Sequence, residues 1–222
     1  SIDLATAYEG AGDWEEAAAV LARYLSLASS ASPALRYHLG YCHYNLGLAA
    51  EAEQEWQEAE KAPSEYCFPN RLHSLLALET AVAVLDKAPR ARYYLGCLLY
   101  DARRHDDAAE HWQRSAMDDP TFPTVFRNLA LYHVNKRGDW AQARKVLEKA
   151  FSLDCGDARV LYELDQLYKK LGRPHAERLD FLKAHIGLVV KRDDLFIEYV
   201  TLHNNLRRHA EALELLARRH FH

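Results

Sequence analysis

The stretch His43–Trp56, HYNLGLAAEAEQEW, reads as the end of one helix, a turn at Gly47 and the start of a second helix. In that second helix Ala52 and Trp56 fall one turn apart, on one face. The same pattern recurs at Tyr8–Leu21 (YEGAGDWEEAAAVL), Leu99–Trp112 (LYDARRHDDAAEHW) and His133–Leu147 (HVNKRGDWAQARKVL). It recurs again at Tyr168–Phe181 (YKKLGRPHAERLDF) and His203–Leu216 (HNNLRRHAEALELL). A small residue sits about a turn into each second helix, at Ala17, Ala52, Ala108, Ala143 and Ala212, with Glu177 in the corresponding slot. The spacings are 35, 56, 35, 34 and 35 residues. A period of roughly 20–50 residues built from two amphipathic helices marks units that cannot bury their apolar faces alone and must stack.

Composition agrees with a helical chain. The 222 residues suffice for a core burying roughly 70% of the unfolded surface. With 49% apolar and 27% charged residues, nine glycines and seven prolines, disordered, collagen-like and disulfide mini-scaffold classes are excluded. No apolar run approaches the roughly 18 residues that span a bilayer. A net charge of −4 offers nothing to a nucleic-acid backbone. Neither a membrane nor nucleic acid is therefore an expected partner. Cys42, Cys67, Cys97 and Cys155 form no C-x-x-C pair or zinc-type spacing, and they read as reduced thiols of a cytoplasmic chain. The chain opens at Ser1 inside a helical pattern, which reads as a piece of a longer protein. One count stands out: thirteen tyrosines against one methionine.

These units resemble the tetratricopeptide repeat (TPR) family, whose pattern is W-x2-L-G-x2-Y, then A-x3-F, A and P. Leu39-Gly40 and Leu95-Gly96 match the Leu-Gly step, and Leu129-Ala130 comes near it. Tyr8 and Tyr168 fall in the tyrosine slot. Trp56, Trp112 and Phe181 fill the later aromatic slot, Ala59, Ala150 and Ala184 the second alanine, and Pro120 closes its unit. The resemblance implies an all-α, right-handed α-solenoid of antiparallel helix pairs, with about six repeats plus one irregular unit. The expected boundaries are 1–30, 33–62, an irregular 63–88, 89–120, 122–155, 157–188 and 192–222, as one superhelical domain. The run Tyr93–Ala130 is also similar to the repeat half of large bacterial proteins that carry a β-rich domain of unknown function ahead of their repeats.

The 56-residue interval from Ala52 to Ala108 is too long for one repeat and too short for two. Its filler is KAPSEYCFPN followed by the helical RLHSLLALETAVAVLDKA, with Ala81, Leu85 and Ala88 in second-helix positions. Residues 63–69, bracketed by Pro63 and Pro69, are expected to run extended in place of a first helix. An ordinary long loop before an odd helix fits the same residues.

Twelve histidines invite a metal or catalytic reading. Registration assigns most of them to packing instead. His43, His133 and His203 share the slot of Tyr8 and Tyr168, while His105 and His209 share that of Trp14 and Trp140. His105, Asp106, Asp107, Glu110 and His111 are ligand-type residues, but acids in a first turn are what a helix N-terminus favours. Cys67 has no neighbour that lowers its pKa. No G-x-S-x-G elbow, phosphate loop or H-E-x-x-H occurs. An enzyme using His105, Asp107 and His111, or Cys67, is the weakest of three readings, and neither metal nor cofactor is expected.

What the resemblance implies instead is a concave groove lined by first helices. Its positions become Tyr37, Tyr41, Tyr44 and Asn45, then Tyr93, Cys97, Tyr100 and Asp101, then Arg127, Leu131, Val134 and Asn135. Tyr162, Gln166, Lys169 and Lys170 follow, and finally Ile197, Thr201, Asn204 and Asn205. Tyrosine suits such a wall, offering a rigid apolar face and a hydroxyl. The alternative is that these rings pack on neighbouring helices and close the groove. An extended peptide with an acidic end would suit the basic C-terminal side. The carboxylate clamp of chaperone-binding repeats is not reproduced, since Ile2, Thr6 and Tyr41 sit at its expected start. The expected function is a non-catalytic scaffold binding a protein or peptide. The rival is an assembly or regulatory arm of a larger, carbohydrate-related bacterial protein, self-associating or docking onto another domain of its parent chain.

Overall fold

In the computed structural model every repeat turn passes through one left-handed residue. These are Gly12, Gly47, Gly138 and Gly172, with φ of 82°, 78°, 62° and 74°, and Arg103 and Arg207, with φ of 64° and 60°. Each stands five residues before the expected small-residue slot. The amide after it closes back onto the first helix: Asp13 to Tyr8 O at 2.9 Å, Leu48 to His43 O at 2.9 Å, Arg104 to Leu99 O at 2.8 Å. Arg173 to Tyr168 O at 3.0 Å and Arg208 to His203 O at 2.9 Å repeat the closure. This is the Schellman ending, which satisfies carbonyls a helix end would otherwise orphan. The remaining turn spans one residue more, from Asp139 to His133 O at 3.0 Å. A π-helical turn over His133–Arg137 absorbs that extra residue.

The structure describes residues 2–27, 32–63, 67, 69 and 71–220, with Ile2 and Leu72 by backbone alone. They fall into two units, Ser1–Pro120 and Thr121–His222. Unit 1 holds α1 (Ile2–Ala11), α2 (Trp14–Leu27), α3 (Pro33–Asn45), α4 (Ala49–Lys61), α5 (Leu72–Val84), α6 (Pro89–Asp101) and α7 (His105–Asp118). Unit 2 holds α8 (Pro123–Tyr132), α9 (Trp140–Leu153), α10 (Ala158–Lys170), α11 (His175–Ala184), α12 (Ile186–Val189), α13 (Asp193–Asn205) and α14 (His209–Ala217). No strand occurs among the described residues. Proline opens α3, α6 and α8, where its missing N–H would have been unpaired anyway.

Within the pairs α3/α4 and α6/α7, one device sets the approach of the two helices. Trp56 and Trp112 lie across Gly40 and Gly96, where a Cβ would stand 2.4 Å from either indole nitrogen. Each indole N–H donates to the carbonyl one turn earlier on the first helix, Tyr37 O and Tyr93 O, at 3.1 Å in both cases. Ala17, Ala52, Ala108 and Ala143 are fully buried at the pair contacts, and Ala212 nearly so.

Two elements depart from the sequence expectation. Helix α5 packs chiefly on α3 and α6, both first helices, with lesser contact to α1 and α4. Second helix α2 likewise packs on two first helices, α1 and α3, so what sets α5 apart is its added contact with α1. Ala81 and Ala88 are fully buried, and Leu85 nearly so. The extended run expected over residues 63–69 falls largely outside the described residues. Helix α11 is the other departure. The slots assigned to Glu177 and Ala184 are exposed, while Arg178, Leu179 and Leu182 are buried. The buried face is thus shifted by one residue, and α11 packs mainly on α13 rather than on its partner α10.

Candidate functional site

The expected groove residues of unit 1 divide into two sets. Tyr37 is 1% exposed and is not a wall residue. Helix α5 covers this part of α3, and the Tyr37 ring meets Tyr94 edge-on at 5.9 Å. Its hydroxyl donates to Glu60 Oε1 at 2.8 Å. Burial, then the Glu60 charge, raises the Tyr37 pKa well above the ordinary phenol value. Glu60 also accepts from the amides of Arg90 at 2.7 Å and Ala91 at 2.8 Å, capping α6 from outside. Tyr37 thus helps join α3, α4 and α6.

The second set keeps exposed or partly exposed surface. Tyr44 is 47% exposed, and its ring rests on Trp56 with centroids 6.0 Å apart. Tyr100, half-buried, repeats that arrangement on Trp112 at 5.4 Å and also stacks on His105 at 4.6 Å. Tyr41 is half-buried against Trp14 at 5.5 Å, and Tyr93 against Tyr94 at 5.3 Å. Asn45 and Asp101 are exposed beside them, with the Asn45 amide donating to Tyr41 O at 2.8 Å. Cys97 is half-buried.

In unit 2 the expected positions are largely engaged with one another. Arg127 grips Glu163 with two N–H groups, the Nε at 2.8 Å, joining α8 to α10. Lys169 donates to Glu198 at 2.9 Å, joining α10 to α13. Tyr162 lies under the Arg192 guanidinium at 5.8 Å, and Lys170 stands over the Trp140 ring at 5.2 Å. Beneath Lys169, Arg178 donates to Asp165 at 2.9 and 2.5 Å and to Glu198 at 2.9 Å, with Arg178 1% and Asp165 0% exposed. Gln166, Leu131, Val134 and Thr201 are half-buried, while Asn135, Ile197, Asn204 and Asn205 are exposed. Lys169 is therefore not the free cation that an acidic peptide end would seek.

A relay that no local sequence signal announced lies at the heart of unit 1. Glu9 of α1 accepts from His38 Nδ1 of α3 through both oxygens, at 2.8 and 3.0 Å. His38 Nε2 then meets the Ser74 hydroxyl of α5 at 3.0 Å. A carboxylate only accepts, so this network is satisfied with the proton on Nδ1 and Ser74 donating to Nε2. The order is that of a nucleophilic triad. However, the cavity against Ser74 admits only about one water molecule (about 10 Å³). What the relay does is pin α5 to α1 and α3, three helices whose contact residues lie 29 and 36 positions apart. Cys42 joins it, its sulfur 3.7 Å from Glu9, and burial and that charge push its thiol up to about 12.

The remaining chemical candidates are engaged in packing or ion pairs. Burial pushes the Cys67 thiol up, away from the thiolate form. Asp107 takes Arg104 at 2.7 Å and Glu110 takes Arg114 at 2.7 Å. Burial holds the His111 pKa below its usual value. Among the described residues no three His, Cys, Asp or Glu side chains converge as a metal would require. Also among them, no helix is long and apolar enough to cross a membrane.

A tetratricopeptide repeat family profile matches residues 2–66 and 74–121, just over half of the chain. Among solved structures, PilF of Pseudomonas aeruginosa superposes with a TM-score of 0.53 at 19% identity, covering 96% of this chain and 86% of that one. A MamA variant gives a TM-score of 0.51 at 20% identity, covering 83% of this chain and 94% of that one. At such identities the likeness is one of fold. Helix pairs, turn chemistry and profile agree, and the chain belongs to the tetratricopeptide repeat family.

Proposed function

We propose that this protein is a non-catalytic scaffold that holds an extended protein segment against the tyrosine surface of unit 1. The reading rests on Tyr44 and Tyr100, two accessible rings backed by buried tryptophans in the same way. A ring already held by its backing loses little rotamer freedom on binding, which is the property of a hot-spot side chain. Tyr41, Asn45, Tyr93 and Asp101 supply neighbouring apolar and polar contacts. In unit 2, Arg127, Asn135, Tyr162, Gln166, Lys169 and Asn205 occupy the corresponding positions, and the ion pairs there favour a rigid support over a primary contact. A peptide selected on the whole chain should protect Tyr44 from nitration, read by mass spectrometry. Undiminished nitration in the complex would contradict the assignment.

A second reading is an assembly or regulatory arm of a larger, carbohydrate-related bacterial protein. It draws on the repeat-half likeness and on Leu213 and Leu216 of α14, which are 69% and 42% exposed. Sedimentation of the chain alone and with the parent's other domains tests it. A chain that neither self-associates nor docks would refute it.

A further inference from the structure

Between α11, α13 and α14 lies an open cavity of about 480 Å³, within the range of small-molecule sites. Its floor is apolar and aromatic: Leu179 from α11, Phe196 and Tyr199 from α13, Leu215 from α14. Into it faces His203, only 6% exposed, with neither ring nitrogen hydrogen-bonded. Glu211 stands 3.4 Å from Nδ1 but without hydrogen-bonding geometry. A buried polar group left without a partner is costly, so a ligand that supplies one gains affinity from it.

The charges around His203 define the ligand's sign. Among the described residues four cations line the cavity, Lys183, Arg208, Arg218 and Arg219, against two carboxylates, Glu211 and Glu214. Arg219 is committed to Asp193 at 2.6 Å and to Val190 O at 2.7 Å, and Arg218 to Glu214 at 2.6 Å. Among the described residues Lys183 and Arg208 have no side-chain hydrogen bond or ion pair, and both act on His203. Burial chiefly, then these two charges, hold its pKa below the usual imidazole value against the opposing pull of Glu211. The imidazole is therefore neutral at neutral pH and keeps one N–H to donate. A planar guanidinium beside an imidazole N–H suits a carboxylate.

We propose that this cavity binds a monocarboxylate with an apolar body, the carboxylate meeting His203 and Arg208 while the body lies on Leu179, Phe196, Tyr199 and Leu215. The site is separate from the tyrosine surface of unit 1 and stands or falls without it.

Calorimetric titration of the whole chain with octanoate, 1-octanol and octylamine tests this. Octanoate should bind saturably, and the alcohol and amine about tenfold more weakly or not at all. Arg208 is exposed, so Arg208→Gln should leave the thermal melt unchanged while weakening octanoate about tenfold. His203→Phe keeps the aromatic volume and should weaken octanoate without weakening octanol. No octanoate binding, equal binding of octanol, or an unchanged octanoate affinity in Arg208→Gln would each overturn the proposal.

Discussion

Trp56 donates its indole N–H to the Tyr37 carbonyl across Gly40, whose missing Cβ would stand 2.4 Å from that nitrogen. Trp112 and Gly96 repeat the arrangement fifty-six positions later. Tyr44 and Tyr100 rest on these same indoles, so the lock that closes each pair also supports the proposed binding rings.

Substituting the glycine should open that lock. Gly40→Ala and Gly96→Ala each require a buried tryptophan to move, and overpacking of this kind costs about 1–3 kcal/mol even though alanine favours the helix. Gly187 in α12 has nothing within 4 Å of a Cβ, so Gly187→Ala should be neutral or stabilising by about 0.5–1 kcal/mol. Urea midpoints of the three variants check the contrast, and similar midpoints for all three would contradict it.

Arg103 and Arg207 hold left-handed conformations where four other turns use glycine. Relief of about 1–2 kcal/mol of backbone strain is opposed by about 0.4–1 kcal/mol from the freer unfolded glycine. Arg103→Gly and Arg207→Gly should therefore each stabilise by about 0.5–1 kcal/mol, read as a raised melting temperature. A lowered one would mean that these arginine side chains matter more than the turns.

Much of this architecture was legible in advance. The six turns, the small-residue slots and the aromatic slots are local signals, each written within about fifteen residues, whereas the extra residue taken up by the π turn at His133–Arg137 went unread. What else escaped was long-range. Tyr37 sits at a groove position of its own repeat, yet it is buried among Glu60 of α4, Leu78 of α5 and Tyr94 of α6. The shifted face of α11 follows from Arg178 pairing with Asp165 and Glu198, partners 13 and 20 residues away. The Glu9–His38–Ser74 relay draws one residue from each of three helices, so no window of sequence contains it.

That buried arginine supplies a further prediction. Arg178→Ala strands the Asp165 carboxylate in the core of unit 2, which should cost about 3–5 kcal/mol. Replacing the pair together, Arg178→Met with Asp165→Leu, should recover most of the loss, because Glu198 keeps Lys169. Denaturant curves of the single and double variants decide this. A double variant no better than the single one would show that Asp165 was not the stranded group.

Acid should weaken the fold before carboxylates dominate. Burial holds His111, His133 and His203 below the imidazole value of 6.5. As pH falls through that value the unfolded chain takes up protons that the folded chain resists, so stability present above it is progressively lost. Burial raises Glu60 and Asp165, whose effect has the opposite sign. A variant with the three histidines changed to glutamine retains both carboxyls. Between about pH 7.5 and pH 5.5 its urea midpoint should therefore fall less than that of the parent chain. Parallel profiles would contradict the assignment.

The central claim concerns the tyrosine surface, and one affinity comparison tests it most directly. Peptides enriched by display on the whole chain would be titrated against that chain and against Tyr44→Ser combined with Tyr100→Ser. Each ring is expected to contribute about 2 kcal/mol as a hot spot. The account thus predicts a loss of affinity between about thirtyfold, if only one ring counts, and about a thousandfold, with an unchanged circular dichroism melt. Equal affinity for both proteins would contradict it.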